Sequence, residues 1–198
     1  WQGHFELPCL NLFNPDVRSY LFDVIRFWID EFDIDGIRLD CANVLDFNFM
    51  KEMRSQTEAM KEDFWLMGEV IHGDYSRWVN NEMLHSVTNY ELHKSLYSGF
   101  NDHNFFEIAH NVRRLEAIGR QLYTFVDNHD EDRIATKLKL REHLFPIYIC
   151  LFTLPGIPSI YYGGEWGIEG KRTNTSDEAL RPAISIEQKG ELHCELTD

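Results

Sequence analysis

The chain has 198 residues, with 19 Lys+Arg against 33 Asp+Glu, a net charge of −14. Its 43% apolar and 14% aromatic content is that of a globular chain and excludes disorder. The acidity argues against nucleic acid and anionic membranes, and no apolar run approaches the roughly 18 residues of a membrane span.

The chain opens Trp1-Gln2-Gly3-His4 with no Met, so it reads as the inside of a longer protein and says nothing of a signal peptide. Cys9, Cys41, Cys150 and Cys194 are scattered, with no CxxC. Cys41 and Cys150 lie in apolar stretches and read as buried free thiols, which favours a reducing, cytoplasmic compartment.

Asn14-Pro15-Asp16 starts a helix, with Asn as cap and Pro at the first helical position. Val17, Tyr20, Leu21, Val24, Ile25, Trp28 and Phe32 follow at helical period. A strand is predicted over 36–40, a helix over 47–62 and an apolar strand over 64–70. Next come a short helix near 75–83, a strand over 86–90 and a helix over 105–118. The chain ends in a strand over 122–126, a helical stretch over 135–153 and a strand over 157–162. Five near-continuously apolar strands alternating with helices predict a parallel sheet covered on both faces, the α/β class.

Polar residues close several strands: Asp40, Glu69 and Asn128-His129-Asp130. In a parallel barrel the C-terminal strand ends form the active face, and an open doubly wound sheet shows the same placement. No GxGxxG or P-loop follows any strand. Arg38 and Asp40, two apart on a strand, point the same way. They read either as a structural ion pair or as a nucleophile held ionised by its arginine. Glu69 closes an apolar run that would raise its carboxyl, although a solvated strand-end Glu is the plainer alternative. One protonated and one ionised carboxyl is the division of labour in glycoside hydrolysis. His129-Asp130 has neither the ligand spacing of a metal site nor a GxSxG partner, so no metal is assigned. Trp65, Tyr90 and Phe125 near strand ends are candidates for stacking on a sugar ring, with core packing as the default.

Asp35-Gly36-Ile37-Arg38-Leu39-Asp40-Cys41-Ala42-Asn43 resembles the second signature region of the α-amylase family, glycoside hydrolase family 13. Gly68-Glu69-Val70 resembles the third region, and Phe125-Val126-Asp127-Asn128-His129-Asp130 the fourth. The stretch from Leu154 to Gly163 resembles the entry to the family's eighth strand. The resemblance implies a (β/α)8 TIM barrel of which this chain holds about strands 4 to 8. Residues 1–198 would then be one partial catalytic domain, without the first strands, the inserted loop domain or the C-terminal sheet domain. It implies retaining cleavage of α-glucans, with Asp40 as nucleophile, Glu69 as general acid/base and Asp130 as the third acid. Arg38, His129, Asn128 and Tyr90 would contact or position the substrate. Leu7-Pro8-Cys9-Leu10-Asn11 and Cys41-Ala42-Asn43 look most like neopullulanases and cyclomaltodextrinases. Asn43-Val44 replaces the Lys-His pair of secreted α-amylases, and Gly164 stands where many relatives have Asp, a departure placed at the substrate rim. No cofactor is implied. A structural calcium belongs at most to a full-length parent, since no complete site is visible here. The alternatives are a transglycosylase or isomerase on the same scaffold, or a non-catalytic sugar-binding relative. Five of eight strands leave open edges, which predicts self-association or cover from the rest of a longer chain.

Overall fold

Residues 5–187 are described by a computed structural model. They fall into two units, and each is considered by itself. In the first, Asn14 caps helix α1 (Pro15–Phe32) by accepting the Asp16 N–H at 2.9 Å. The helix ends where Asp33 turns left-handed. Strand β1 (Gly36–Leu39) follows, then α2 (Phe47–Met60), β2 (Trp65–Gly68) and β3 (Ser86–Val87). The three strands are parallel in the order β1-β2-β3, with Arg38 opposite Met67 and Leu39 opposite Gly68. Phe22 of α1 stacks on Phe49 of α2 at 5.6 Å, so each helix buries one apolar stripe. Lys61 pairs with Asp33 and Asp35, both at 2.7 Å, and so ties the end of α2 to the entry of β1.

The second unit holds α3 (Tyr90–Asn101), α4 (Phe105–Arg114), β4 (Tyr123–Thr124), α5 (Ile134–Lys137), α6 (Leu144–Thr153) and β5 (Ile157–Pro158). β4 and β5 are parallel, and Thr88 bridges to Tyr123. Leu92, Leu96, Ile134, Leu144, Ile147 and Leu151 anchor its core.

Five predicted elements change. The strand over 122–126 keeps only Tyr123–Thr124. The strand over 86–90 stops at Val87, because Asn89 accepts the Leu92 N–H at 3.0 Å and starts α3, a helix the sequence reading missed. The predicted helix at 75–83 is a single 3-10 turn, Tyr75–Arg77. The stretch over 135–153 is broken. Lys139 leaves helical geometry to donate its N–H to Asn101 Oδ1 at 2.8 Å, and Pro146, which lacks an N–H, fits only the first turn of a new helix. β5 is two residues long and exposed, with Ile157 36% accessible, so the expected cover on both faces is not found there. Cys41 and Cys150 are free but half-buried rather than buried; Cys9 is free and exposed, and Cys194 lies outside the described residues. Among the described residues no helix is long and apolar enough to cross a membrane.

Candidate functional site

The predicted site residues come together in two groups, one in each unit. The first is built at the ends of β1 and β2. Glu69 N–H donates to Leu39 O at 2.8 Å and Ala42 N–H to Glu69 O at 2.9 Å, which stitches the two strand ends together. Gly68 permits this: a Cβ there would lie 2.8 Å from Ala42 Cβ and 2.6 Å from Leu84 Cδ1. Cys41 carries the turn in a left-handed conformation, φ 45°. Its N–H donates to Glu69 Oε2 at 3.0 Å.

Arg38 faces both carboxylates. Nη1 lies 3.0 Å from Asp40 Oδ1 and Nη2 lies 3.0 Å from Glu69 Oε1. The fork geometry of a guanidinium suits this double contact. The two acids differ in setting: the Asp40 side chain is 76% exposed and that of Glu69 is 7% exposed. Glu69 is buried, but its oxygens meet Arg38 and a backbone N–H rather than the apolar surroundings the sequence suggested. One oxygen of each carboxylate and the Cys41 sulfur lie within 4.8 Å of one another. These three atoms are the one set among the described residues with the number and proximity to hold a metal ion, and the Arg38 guanidinium already supplies a cation there. Burial pushes the Cys41 thiol up, and the two carboxylates add to the shift.

The second group lies on the loop between β4 and α5. Asn128 Oδ1 accepts from the N–H groups of Asp130 and Glu131 at 2.9 and 3.0 Å, which fixes the turn. Its amide donates to the Tyr90 hydroxyl at 3.1 Å. Tyr90, expected against a sugar, is 8% exposed and packs edge-on against Phe125 at 5.0 Å, so it supports Asn128 from behind. His129 Nε2 lies 3.0 Å from Asp130 Oδ2.

Sequence reasoning missed Arg181. Its Nη2 donates to Asp130 Oδ1 at 3.2 Å, its Nε donates to the His129 carbonyl at 3.2 Å, and Asp177 holds it at 2.7 Å. No local pattern marks it, because its partners are 51 and 52 residues away; the only nearby cue is Asp177 one helical turn before it. Glu131, next to Asp130, forms a cluster with His93 and Lys137. The His93 hydrogen bond and then Lys137 hold the Glu131 carboxyl down to about 2. Burial pushes His93 down, which keeps it neutral near pH 7. Gly164, placed at the substrate rim by the sequence reading, is buried instead.

Comparison with known proteins places the chain in a family. Residues 1–191 match the family model "Alpha amylase, catalytic domain". The chain is 34% identical over 191 residues to Neopullulanase 2 of Thermoactinomyces vulgaris, covering 92% of this chain and 32% of that protein. It is 32% identical over 174 residues to the intracellular maltogenic amylase of Bacillus subtilis, covering 84% of this chain and 29% of that protein. The solved cyclic α-maltosyl-(1→6)-maltose hydrolase of Arthrobacter globiformis, in complex with that sugar, superposes with a TM-score of 0.82 at 26% identity. That match covers 94% of this chain and 42% of the solved one. The chain therefore spans about a third of the length of these curated relatives.

Proposed function

The chain belongs to the α-amylase family, whose fold is the (β/α)8 barrel, and from that premise we propose that the protein carrying it is a retaining glycoside hydrolase of α-glucans. The observation that carries the reading is the acid pair. One oxygen of Asp40 lies within 4.8 Å of one of Glu69, short of the ~6.5–9.5 Å that inversion needs for its water.

In this mechanism Asp40 attacks the anomeric carbon while Glu69 gives a proton to the departing glycosidic oxygen. The product of that step is a glycosyl ester on Asp40 and a free sugar hydroxyl. Water then attacks the ester, Glu69 takes its proton, and Asp40 is released as a carboxylate. Arg38 has a role in both halves. It pairs with and orients Asp40 before attack, and once Asp40 is esterified its charge stays beside Glu69, which must then act as a carboxylate base. Asp130 is the third acid and binds sugar hydroxyls with His129 and Asn128; Tyr90 holds Asn128. Neither half-reaction uses a metal or cofactor, and a sugar substrate is uncharged, so the net charge of −14 neither attracts nor repels it.

The preferred substrates are maltodextrins, cyclic ones included, a reading supported by the likeness to a maltogenic amylase and to a cyclic maltosyl-maltose hydrolase. An intracellular location is proposed on the likeness to the protein named intracellular maltogenic amylase. Residues 1–198 are read as part of a catalytic barrel domain.

Proton NMR of maltodextrin cleavage by the intact protein tests the proposal. The first product should carry the α-anomer, relaxing later to the mixture. An initial β-anomer would mean inversion and would overturn the roles of Asp40 and Glu69.

A further inference from the structure

A buried polar cell lies at the two ends of the loop that carries His129 and Asp130. Arg133, at the end of that loop, is fully buried. Its Nη1 donates to the Tyr162 carbonyl at 2.8 Å, and its guanidinium stacks on Tyr161 and Tyr162 at 4.1 and 4.9 Å. Its Nε and Nη2 meet no protein acceptor. Asp127, at the start of the loop, is 1% exposed. Its Oδ2 accepts the Ile134 N–H at 2.8 Å and so closes the loop, while its Oδ1 has no partner. The buried Tyr148 hydroxyl and Glu165 Oε2 also lack partners. Arg133 and Glu165 are near enough to act electrostatically on both Asp127 and Tyr148. Gly164 lets these groups approach the backbone closely: a Cβ there would lie 2.4 Å from Tyr148 Oη and 3.6 Å from Asp127 Oδ1.

The cell thus gathers unpartnered donors (two N–H edges and a hydroxyl) with two unpartnered carboxylate oxygens. Native interiors rarely leave such groups unsatisfied. Asp127 and Glu165 would repel an anion, and Arg133 would repel a cation. Water both donates and accepts, and a polar gap lined by several partners is where buried water is found. We propose that this cell is a site for ordered water, and that through it Asp127 and Arg133 are positioning residues for Asp130. Asp127 grips the far end of the loop through Ile134, and Arg133 is tied down by its own N–H on Gly170 O at 2.9 Å. Water between the two holds the loop ends in register. The kinetic part of this inference rests on the glycosidase reading of Asp130; the water site does not.

The test uses the intact protein and three variants: Gly164→Ala, Tyr148→Phe and the double variant. A high-resolution crystal structure of the unmodified protein should show ordered water at hydrogen-bonding distance, about 2.7–3.2 Å, from Tyr148 Oη and Asp127 Oδ1. Gly164→Ala should expel it and lower kcat at least about tenfold with KM nearly unchanged, since a loop acid misplaced by a fraction of an ångström weakens the transition state. Adding Tyr148→Phe removes the oxygen that the new methyl crowds, and kcat should stay low. Recovery in the double variant would mean crowding alone was at fault and would overturn the proposal. So would a dry cell with Arg133 paired directly to Asp127 or Glu165, or a Gly164→Ala protein that melts higher at full kcat. If Gly164→Ala does not fold, Tyr148→Phe alone decides, because it removes a water ligand without adding volume: kcat should fall, and an unchanged kcat overturns the proposal. The crystal structure is read without substrate, so a wet cell in an inactive protein would establish the water site while retiring the glycosidase reading.

Discussion

Replacing Arg38 by Leu leaves two carboxylates facing each other without their shared cation. With one oxygen of each within 4.8 Å, Coulomb's law gives a repulsion of about 3 kcal/mol at an effective dielectric of about 20, and about 1 kcal/mol in bulk water. The Asp40 side chain is 76% exposed and that of Arg38 33%, so solvent screens the pair and about 1–2 kcal/mol is the working figure. That corresponds to roughly tenfold in a rate or an equilibrium. The nucleophile is held by this contact, so kcat/KM should fall at least about tenfold in Arg38→Leu. Glu69, 7% exposed, loses its ion pair with Arg38, which should cost a further ~1–3 kcal/mol of stability. Arg38→Lys keeps one charge but cannot fork to both oxygens, and should fall between. The assays are kcat/KM on a maltodextrin and thermal melts at matched pH. An Arg38→Leu enzyme with an unchanged kcat/KM and an unchanged melting temperature would refute the bridging role.

Three further outcomes follow from the same geometry. Burial pushes the Asp127 carboxyl up to about 6 from its usual 3.8; a raised acid makes the folded state hold its proton longer, so stability should fall as pH rises from about 4 through about 6, by at most about 3 kcal/mol. Asp127→Asn keeps an oxygen for the Ile134 N–H and should flatten that limb in urea melts; an unchanged slope would place the cost elsewhere. Glu69→Gln should slow substrates with poor leaving groups far more than activated ones, and equal slowing of both would remove it as the acid. The 198-residue chain expressed alone should run above monomer mass in light scattering, since Phe27 (53%), Phe32 (65%) and Phe152 (54%) are exposed. It should also cleave maltodextrin at least about a hundredfold slower than the intact protein; a monomer of full activity would contradict both expectations.

The strand Gly36–Leu39 and the contact between Arg38 and Asp40 were legible because strand period is local: residues two apart share a face. Helix α1 was legible for a similar reason, since its cap and its stripe lie within consecutive residues. Helix α3 was not, because Ser86-Val87-Thr88-Asn89-Tyr90 continues the apolar, β-favouring pattern of a strand and the Asn89 cap outweighs it. The double role of Arg38 was half legible: Asp40 is two residues away, whereas Glu69 reaches it only through the β1–β2 register. That register also explains the error about Glu69, whose apolar sequence neighbours are not what its oxygens touch. Arg181 and the cell around Gly164 depend on contacts between segments far apart in the chain, and no period or motif encodes such contacts.

The central claim is that Asp40 forms a covalent bond to the sugar. A fluorinated maltosyl fluoride, which forms the glycosyl ester quickly and hydrolyses it slowly, should add the mass of one fluorinated maltosyl group to the intact protein, with fluoride released, and peptide mapping should place it on Asp40. Label on Glu69 or Asp130, or an active enzyme that takes no label while releasing the β-anomer, would contradict the account.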